Sequence, residues 1–374
     1  MIMYISKSFH GNIGATMHYK ALKELVGTEN IFTIDLRPEV KNRKKNYIAY
    51  GKYKNRFDRI IRWLQGNTMF INNKIIEEIC DIISKNNIHT VFIEDSTFGN
   101  LTKAIKQKNK DCKVISFYHD IKANLYRQWI KNDKTITSKI EYTIGIKQES
   151  INQEHADVNI VFNQRDADVF EKTYEHKPDA IIPLPAPIPS KNDQSNLKVY
   201  NPECINLLFV GKKYYPNLVG LQWFDNKVLP SLPQNICVNI VGRGLENLKE
   251  VYTDTRYNII GGVESLDPYY RQADIVIAPL FDGGGMKSKT VEALSYGKIF
   301  VGTEESLFGF WEEMDSDVKF KTCYQCNTPE AWIKTLNVLI NGNISKFNKD
   351  VFELFITNFS YEVVRDQLKR IIEE

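Results

Sequence analysis

The sequence predicts a mixed α/β protein built from two Rossmann-like domains. Short β-branched or aromatic runs alternate with helical patterns along most of the 374 residues. This alternation is typical of βαβ units that form a parallel sheet. It stops at the stretch 183–189, which holds four prolines in seven residues, and it restarts afterwards. Because such a stretch cannot continue a helix and favours an extended connector, two separate α/β halves are expected.

The individual elements follow from the apolar pattern. In the first half we predict strands at 31–36, 90–94, 113–118 and 158–162 and helices at 72–85 and 101–108. In the second half we predict strands at 205–210, 237–241, 257–260, 275–278 and 299–302, and an amphipathic helix at 360–372. The expected domains are 1–185, a proline-rich linker at 186–200, a second domain at 201–358 and a C-terminal helix at 359–374.

The charge is concentrated in one segment. Hydrophobic residues make up 43% of the chain and charged residues 25%, as in ordinary globular proteins. Lys41–Arg62 holds nine basic residues and one acidic residue, a net charge of +8, so the rest of the chain carries −5. That acidic remainder disfavours a nucleic-acid partner. The helical pattern at 56–64 leaves two alternatives open: contact with an anionic membrane surface, or a solvated loop followed by a helix whose apolar face belongs to the core.

Targeting signals and cysteines give weaker indications. The N-terminus reads as a first strand rather than a signal peptide, and no apolar run approaches the roughly 18 residues that span a bilayer. We therefore expect a cytoplasmic protein, with peripheral attachment to the inner face of the membrane as a hypothesis. Cys80, Cys112, Cys204 and Cys237 are expected to be free core thiols. Cys323 and Cys326 form a lone CxxC pair, which alone does not predict a zinc site.

The glycine-rich stretch 283–287 has the features of a phosphate site. It follows a predicted strand that ends near Ala278, and Ser288 is expected to lie at the start of a helix. Glycines let the backbone approach a ligand, and the free N–H groups and dipole of a helix N-terminus favour an anion. Lys287 adds a positive charge at the same place. The alternative is a glycine-rich connector with a solvated lysine. The spacing matches neither a Walker loop nor the dinucleotide fingerprint.

The stretch 279–297 resembles the donor-site signature of GT-B glycosyltransferases of family 4, the glycosyl transferases group 1. The stretches 209–224, 241–244 and 261–280 match further parts of that family in order. The resemblance is strong from Ile205 to about Gly309 and weaker but colinear over the N-terminal half. It implies the GT-B fold, in which two Rossmann-like domains face each other across a cleft and a C-terminal helix crosses back to the N-terminal domain.

The resemblance also implies site residues in the C-terminal domain. Lys212 and Lys287 would stabilise the departing diphosphate, Lys213 or Lys289 could substitute for them, and Glu292 would bind the ribose. The residues of this domain expected at the donor are Gly211, Lys212, Lys213, Arg243, Gly262, Val263, Asp282, Gly283, Gly284, Gly285, Met286, Lys287, Ser288, Lys289 and Glu292; Gly11 and Gly14 of the N-terminal half complete the expected donor-binding set. Two departures stand out. Gly284 lies where many relatives have a glutamate, so Asp282 could take over the sugar contact, and Asn217 and Leu218 lie where the family has a second basic residue.

The N-terminal half supplies the remaining expectations. His119 ends a predicted strand and resembles the histidine that the family places beside the donor sugar; a buried structural histidine is the alternative. With Lys212 and Lys287 it forms the expected catalytic set. Gly11 and Gly14 belong to a first βα turn that relatives use near the donor phosphate. The side chains expected on the acceptor side are His10, Glu94, Asp95 and Asp120.

No metal and no other cofactor are expected. Two DxD matches occur, at 166–168 and 315–317, but Asp166 is interpreted as the start of a helix, and lysines with a helix dipole can neutralise a diphosphate. The resemblance implies transfer of a sugar, with retention, from a UDP-sugar or a GDP-sugar to a glycan or lipid-linked acceptor in bacterial-type surface polysaccharide or glycoconjugate synthesis. The alternatives are a nucleotide-sugar epimerase on the same fold and a non-catalytic partner subunit.

Overall fold

The computed structural model describes residues 1–7, 13–37, 41–51, 55–132, 135–190 and 199–373. The chain divides into two compact units. Met1–Pro183 together with Val364–Glu374 form the first unit, and Leu184–Val363 form the second. The final helix therefore starts in the second unit and ends in the first, where Lys113 donates a 2.6 Å hydrogen bond to the carbonyl oxygen of Ile371.

The described part of the first unit contains eight strands and seven α-helices. The strands are β1 Ile2–Ser6, β2 Ile31–Asp35, β3 Lys41–Lys44, β4 Tyr47–Tyr50, β5 Thr90–Ile93, β6 Lys113–Tyr118, β7 Val158–Val161 and β8 Ala180–Ile181. The helices are α1 Ile13–Val26, α2 Arg56–Leu64, α3 Asn73–Lys85, α4 Gly99–Lys108, α5 Lys122–Asn132, α6 Ile136–His155 and α7 Gln164–Tyr174.

The first sheet has the order β3-β4-β2-β1-β5-β6-β7-β8. Its pairs are parallel except β3 with β4. All five residues of β1 are buried, as expected for a central strand that helices cover on both faces. The strand order reverses between β1 and β5, which places the ends of both strands at a topological switch point.

Part of the basic segment 41–62 forms the edge of the first sheet. One alternative from the sequence had been a solvated loop in this part of the chain. β3 pairs antiparallel with β4, which in turn pairs with β2. The sequence did not predict these strands because Lys-Asn-Arg-Lys has no apolar alternation. Lysine-rich edge strands are nevertheless common, since charge discourages pairing with other chains.

Asparagine side chains cap helices α2, α3 and α7 of this unit. Asn72 accepts a hydrogen bond from the backbone N–H of Ile75 at the start of α3. Asn163 accepts one from the N–H of Asp166 at the start of α7. Such caps satisfy amides that have no partner within the helix. Asp166 thus lies in the first turn of α7, close to where the sequence placed it.

The described part of the second unit contains six strands and the remaining helices. The strands are β9 Ile205–Val210, β10 Ile236–Val241, β11 Tyr257–Gly261, β12 Ile275–Ala278, β13 Ile299–Gly302 and β14 Cys323–Gln325. The helices are α8 Tyr215–Lys227, α9 Asp267–Gln272, α10 Ser288–Ser295, α11 Glu304–Leu307, α12 Pro329–Ile340, α13 Lys349–Asn358 and α14 Tyr361–Glu373. Short 3-10 helices lie at Thr28–Asn30, Leu229–Ser231, Glu246–Glu250 and Trp311–Glu313.

The second sheet is parallel throughout, with the order β11-β10-β9-β12-β13-β14. Its core includes Phe209 on β9, Phe224 on α8 and Trp332 on α12, all fully buried. Parallel sheets buried on both faces are typical of doubly wound α/β domains. The predicted class of two Rossmann-like domains is confirmed.

The prediction of free core thiols is wrong for Cys204 and Cys237. Cys204 and Cys237 form a disulfide, with their Cα atoms 5.7 Å apart. The register of β9 with β10 places Cys237 opposite Asn206, so Cys204, two residues earlier, comes within reach. An apolar context in the sequence does not reveal such a cross-strand approach. The free cysteines are Cys80, Cys112, Cys323 and Cys326, all buried.

Candidate functional site

Two loops of the second unit meet at its topological switch point. β9 pairs with both β10 and β12, so the strand order reverses at β9 and β12. The turn 211–214 follows β9, and the loop 279–287 follows β12. In parallel α/β sheets, ligands bind outside the carboxyl ends of the strands at such a point. The fold therefore brings together the two segments that the sequence singled out separately.

The glycine loop depends on its glycines. Gly283 has φ of 134° and Gly285 has φ of 58°, values that side chains with a Cβ rarely adopt. The carboxylate of Asp282 accepts a 2.7 Å hydrogen bond from the N–H of Gly283. This bond ties Asp282 to its own loop. The loop is half-buried at Gly283 and Gly284 and buried at Gly285.

The side chain of Lys287 stabilises the conformation of this loop through hydrogen bonds. Its ammonium donates to the carbonyl oxygens of Gly284 at 3.1 Å and Gly285 at 2.9 Å, and to Oε1 of Glu305 at 2.6 Å. Glu305 lies on α11 and was not identified from the sequence. The available signal was that α11 follows β13, whose carboxyl end lies at the same sheet edge as that of β12. The ion pair compensates part of the charge of Lys287.

Helix α10 starts directly after the loop. Its first residue is Ser288, which is exposed, and Lys287 occupies the N-cap position without a side-chain capping bond. The N-terminus of a helix favours an anion through its amides and its dipole. Met286 points elsewhere: it is buried, and its sulfur accepts a 3.4 Å hydrogen bond from the N–H of Leu184. Met286 is therefore a packing residue of the loop.

Lys289 is a buried cation beneath the loop. Its ammonium donates a 2.8 Å hydrogen bond to Oδ1 of Asn217 and lies 4.1 Å from the ring centroid of Phe209. In the described part of the chain, no carboxylate lies within ion-pair distance of this ammonium. Burial, with a smaller effect of the nearby Lys287, lowers the pKa of Lys289 to about 7. Glu292 offsets part of this pKa shift, but a buried ammonium without a carboxylate at ion-pair distance is still costly, as expected where an anion is to bind.

Asn217 links the two loops. Its side-chain N–H donates a 2.9 Å hydrogen bond to the carbonyl oxygen of Lys212, while its oxygen accepts from Lys289. The position that departs from the family pattern thus joins the turn after β9 to helix α10. The side chain of Lys212 itself is exposed.

The turn after β10 packs against the turn after β9. The N–H of Gly211 donates to the carbonyl oxygen of Val241, and the N–H of Lys213 donates to that of Arg243, both at 3.0 Å. A Cβ on Gly242 would overlap the carbonyl oxygen of Gly211. The side chains of Lys213 and Arg243 are exposed. Both basic residues therefore lie at the same sheet edge as the glycine loop.

The turn after β11 is engaged by a residue that the sequence did not indicate. The N–H of Gly262 donates a 2.9 Å hydrogen bond to Oε1 of Glu246, and backbone hydrogen bonds lower the pKa of this exposed carboxyl. Val263 next to it is half-buried. Glu246 follows β10 by a few residues, so its proximity to Gly262 arises only from the pairing of β10 with β11.

Glu292 lies one turn into α10. Its carboxylate accepts a 2.9 Å hydrogen bond from the hydroxyl of Tyr270 on α9. Burial raises the pKa of Glu292 to about 7. The hydrogen bond from Tyr270 and the charge of Lys289 both lower this pKa, but the effect of burial is larger. A half-buried carboxyl with this pKa can accept or donate hydrogen bonds near neutral pH. Tyr270 stacks on Tyr296, which holds it in place.

In the first unit, a buried carboxylate holds two histidines. Oε1 of Glu94 lies 2.8 Å from Nε2 of His119 and 2.8 Å from Nδ1 of His18. Oε2 accepts a 3.0 Å hydrogen bond from the hydroxyl of Tyr4. Burial disfavours the charged form of Glu94, but His18 and His119 together lower its pKa to about 2. Glu94 therefore lies behind His119 rather than at a surface, and His18 was missed because it lies mid-helix on α1.

The other acidic candidates are ion-paired. Asp95 is buried, lies 2.9 Å from the ammonium of Lys7 and binds Thr97; despite burial, Lys7 and Lys122 help lower its pKa to about 2. Asp120 lies 2.6 Å from the ammonium of Lys122. These groups lie at the carboxyl ends of β1, β5 and β6, around the switch point of the first sheet.

Two expected residues, His10 and Gly11, lie outside the described residues. Gly14 is described: it is buried in the first turn of α1. Within the described ranges, the structure contains no group of three or more His, Cys, Asp or Glu side chains placed to hold a metal ion.

Comparisons with known proteins concern the second unit and the fold of the whole chain. Residues 204–365 match the family model described as Glycosyl transferases group 1. No curated protein sequence matches the chain.

Solved structures match over the whole length. HepE from Anabaena in complex with UDP has a TM-score of 0.70 at 11% identity, covering 100% of this chain and 99% of that one. WaaG, a glycosyltransferase involved in lipopolysaccharide biosynthesis, has a TM-score of 0.69 at 12% identity, with 100% and 99% covered. WaaB, a lipopolysaccharide outer core galactosyltransferase, has a TM-score of 0.66 at 13% identity, with 99% and 98% covered. At such identities the likeness shows the shared fold.

The glycine loop, Lys212 and Glu292 lie within the region that the family model matches, and the full-length likeness covers both sheets. The chain thus has the GT-B fold, and its residues 204–365 match the family model of the glycosyl transferases group 1.

Proposed function

We propose that this enzyme transfers a sugar, with retention, from a UDP-sugar to a glycan or lipid-linked acceptor in surface polysaccharide or glycoconjugate synthesis; a GDP-sugar is the alternative donor. The observation that carries the proposal is the convergence of cations and a helix N-terminus at one switch point. The ammonium groups of Lys287 and Lys289 lie at the edge that α10 starts from, and Asn217 ties the backbone of Lys212 to the same edge. The choice of UDP is supported by HepE, whose structures contain UDP and UDP-glucose.

The three lysines have different roles in our proposal. Lys287 shapes the glycine loop, since its ammonium holds two loop carbonyls and Glu305. Lys289 supplies positive charge to the diphosphate from beneath the loop. Its hydrogen-bond partner is an amide oxygen and not a carboxylate, so this charge is not neutralised by that partner. Lys212 offers charge from the exposed side. Preorganised charge of this kind stabilises the negative charge that grows on a departing diphosphate.

The transfer itself breaks the bond between the anomeric carbon and the diphosphate oxygen. The acceptor oxygen forms its bond to that carbon on the same face, and its proton passes to a diphosphate oxygen. No strong enzymic base is needed on this route. His119 therefore orients and polarises the reacting groups and does not abstract the acceptor proton. Glu94 fixes its ring by the 2.8 Å contact with Nε2. Glu292 binds the ribose hydroxyls, which a carboxyl with a pKa near 7 can do in either protonation state.

We also propose that the transfer needs no metal ion, because the lysines and the helix N-terminus supply the positive charge for the diphosphate. Turnover should therefore be unchanged after EDTA treatment and dialysis. A loss that Mg²⁺ or Mn²⁺ restores would contradict this part of the proposal.

The deciding experiment uses purified protein and candidate nucleotide-sugars. A thermal-shift screen with UDP, GDP, ADP and CMP identifies the base, since a ligand that binds the native state raises its melting temperature. Product analysis then follows the matching sugar donor. Transfer or slow hydrolysis supports the proposal, whereas epimerised donor in the absence of acceptor would identify an epimerase.

The matched variant is Lys287→Ala. We expect it to abolish the thermal shift with the nucleotide and to lower turnover at least about a hundredfold, as for the loss of one preorganised charge. Lys321→Ala is the control, since Lys321 is exposed and forms a surface ion pair with Asp317. Wild-type nucleotide binding and turnover in Lys287→Ala would refute the assignment of this loop.

A further inference from the structure

Helix α2 carries its apolar side chains outward. Phe57, Ile60, Ile61 and Leu64 are 76%, 44%, 50% and 83% exposed. Arg62 is the buried residue instead: its guanidinium donates to the carbonyl oxygen of Met69 at 2.9 Å and pairs with Asp58 at 3.1 Å. A helix on a globular unit ordinarily buries its apolar stripe, so this orientation is reversed. Of the two alternatives that the sequence left for this helix, the one with a core-facing apolar side does not describe it.

Helix α6 extends the same surface. Ile136 is 75% exposed and Ile140 is 36% exposed. A groove of about 540 Å³ runs between the two helices and is lined by Ile60, Trp63, Leu64, Ile136, Ile140 and Ile144, together with Lys139 and Thr143. We define the α2–α6 patch as Phe57, Ile60, Ile61, Leu64, Ile136 and Ile140.

The patch is held by specific contacts and is not a frayed end. The indole N–H of Trp63 donates a 2.5 Å hydrogen bond to Oε2 of Glu141 on α6. The other oxygen of Glu141 accepts from the N–H of Met69 at 2.8 Å. Asn55 caps α2 by accepting from the N–H of Asp58. The apolar side chains are therefore presented to solvent by an ordered pair of helices.

Cations surround the patch. Arg56 and Lys139 are exposed, and the guanidinium of Arg59 stacks over Trp63 at 4.9 Å. Two acidic side chains of these described helices are engaged, because Asp58 pairs with Arg62 and Glu141 binds Trp63. An apolar surface with a cationic rim matches a partner that is apolar inside and anionic at its surface.

We propose that the α2–α6 patch docks this enzyme on an anionic lipid bilayer. The apolar side chains enter the boundary of headgroups and acyl chains, and Arg56, Arg59 and Lys139 meet lipid phosphates. Among the helices of the described residues, none is long and apolar enough to cross a membrane, so the contact is interfacial. Large exposed apolar patches ordinarily mark interaction surfaces. The inference is independent of the nucleotide and the sugar.

The test is cosedimentation with sucrose-loaded vesicles. Wild-type protein should bind phosphatidylcholine vesicles that contain phosphatidylglycerol, should bind pure phosphatidylcholine weakly, and should be released as salt rises. Leu64→Ser and Ile136→Ser should each lower the partition coefficient about tenfold. Arg56→Gln should lower it about fivefold, the effect of one surface cation.

The matched control is Val338→Ser on α12. Val338 is 66% exposed, so the change is chemically the same outside the patch, and binding should equal that of wild type. All four substitutions are at exposed positions, and circular dichroism with the nucleotide thermal shift verifies that the fold and the second unit are intact.

Two outcomes would overturn the proposal. One is equal binding to neutral and anionic vesicles, or a loss of binding in Val338→Ser as large as in Leu64→Ser. The other is a dimer in solution that Leu64→Ser dissociates while wild-type protein ignores anionic vesicles. That result would assign the patch to a second copy of the chain.

Discussion

Nε2 of His119 lies 2.8 Å from Oε1 of Glu94, a carboxylate with 1% exposure at the end of β5. The same oxygen lies 2.8 Å from Nδ1 of His18. A buried carboxylate that bonds one ring nitrogen fixes the orientation of the imidazole and decides which nitrogen faces outward. The buried carboxylate of Glu94 therefore positions the ring of His119.

Glu94→Gln tests this relationship. The amide keeps the shape of the side chain, but it removes the negative charge that both imidazoles contact through Oε1 and places an N–H donor where Oε2 accepts from Tyr4. We expect kcat to fall about tenfold to a hundredfold, since a small misplacement of an orienting group has such effects. KM for the donor and nucleotide binding should change little. Glu154→Gln, on the exposed side of α6, is the control. Wild-type kcat in Glu94→Gln would show that His119 needs no such support.

The same carboxyl predicts how stability depends on acid. The pKa of Glu94 is about 2 in the folded state against an ordinary value of 4.5, and that of Asp95 is about 2 against 3.8. The unfolded chain thus binds protons at higher pH, and the stabilisation is present above pH 4.5 and lost as the pH falls towards 2. For Glu94 it amounts to about 3 kcal/mol. Urea unfolding between pH 2 and 6 should show a shallower loss in Glu94→Gln than in wild type. Parallel curves would contradict the prediction.

The sequence predicted elements well where burial produces an uninterrupted apolar run. Both β6 at 113–118 and β12 at 275–278 have the predicted bounds. It missed β3 because an edge strand can be stabilised by backbone pairing without apolar side chains. It found α2 but left the direction of its apolar face open, since periodicity shows that a helix has two faces and not which face meets water.

The candidate site was predictable in part for a related reason. The glycine loop and Lys212 are continuous motifs, so the sequence displays them directly. Glu305 and Asn217 act through contacts made across the sheet, at 2.6 Å to Lys287 and 2.8 Å to Lys289. Such contacts depend on strand order, because the β9–β12 neighbourhood joins segments about 70 residues apart.

Lys289→Met should make the unliganded protein more stable and the donor site worse. Burial lowers the pKa of Lys289 to about 7 from its ordinary 10.5. Folding therefore has to bury a charged ammonium below pH 7, which lowers the free energy of unfolding. Removing the charge while losing the bond to Asn217 should raise the free energy of unfolding by on the order of 2 kcal/mol at pH 7. This gain should shrink as the pH rises towards 10.5. UDP affinity should fall at least about tenfold, as for loss of one charge-assisted bond.

Lys298→Met is the contrast for that variant. Burial also lowers the pKa of Lys298 to about 7, but its ammonium donates to the carbonyl oxygens of Arg271, Ala273 and Lys346. Three buried or partly buried carbonyls would lose this donor, so the variant should be destabilised while the UDP-induced thermal shift persists. If Lys289→Met and Lys298→Met behave alike in both measurements, Lys289 serves the fold and not the donor.

Gly242→Ala should disrupt the donor edge of the second sheet through the backbone alone. Gly242 has φ of 151°, and an added Cβ would overlap the carbonyl oxygen of Gly211, which immediately precedes Lys212. The turn after β9 must then move, so we expect a loss of about 2 kcal/mol or more in stability and weakened UDP binding. Gly66→Ala separates strain from overlap: φ is 73° there, but the nearest atom to an added Cβ is 3.8 Å away. It should cost only about 1 kcal/mol and leave UDP binding unchanged. Equal effects of the two substitutions on UDP binding, measured by titration calorimetry, would show that the close approach of Gly242 to Gly211 does not shape the donor site.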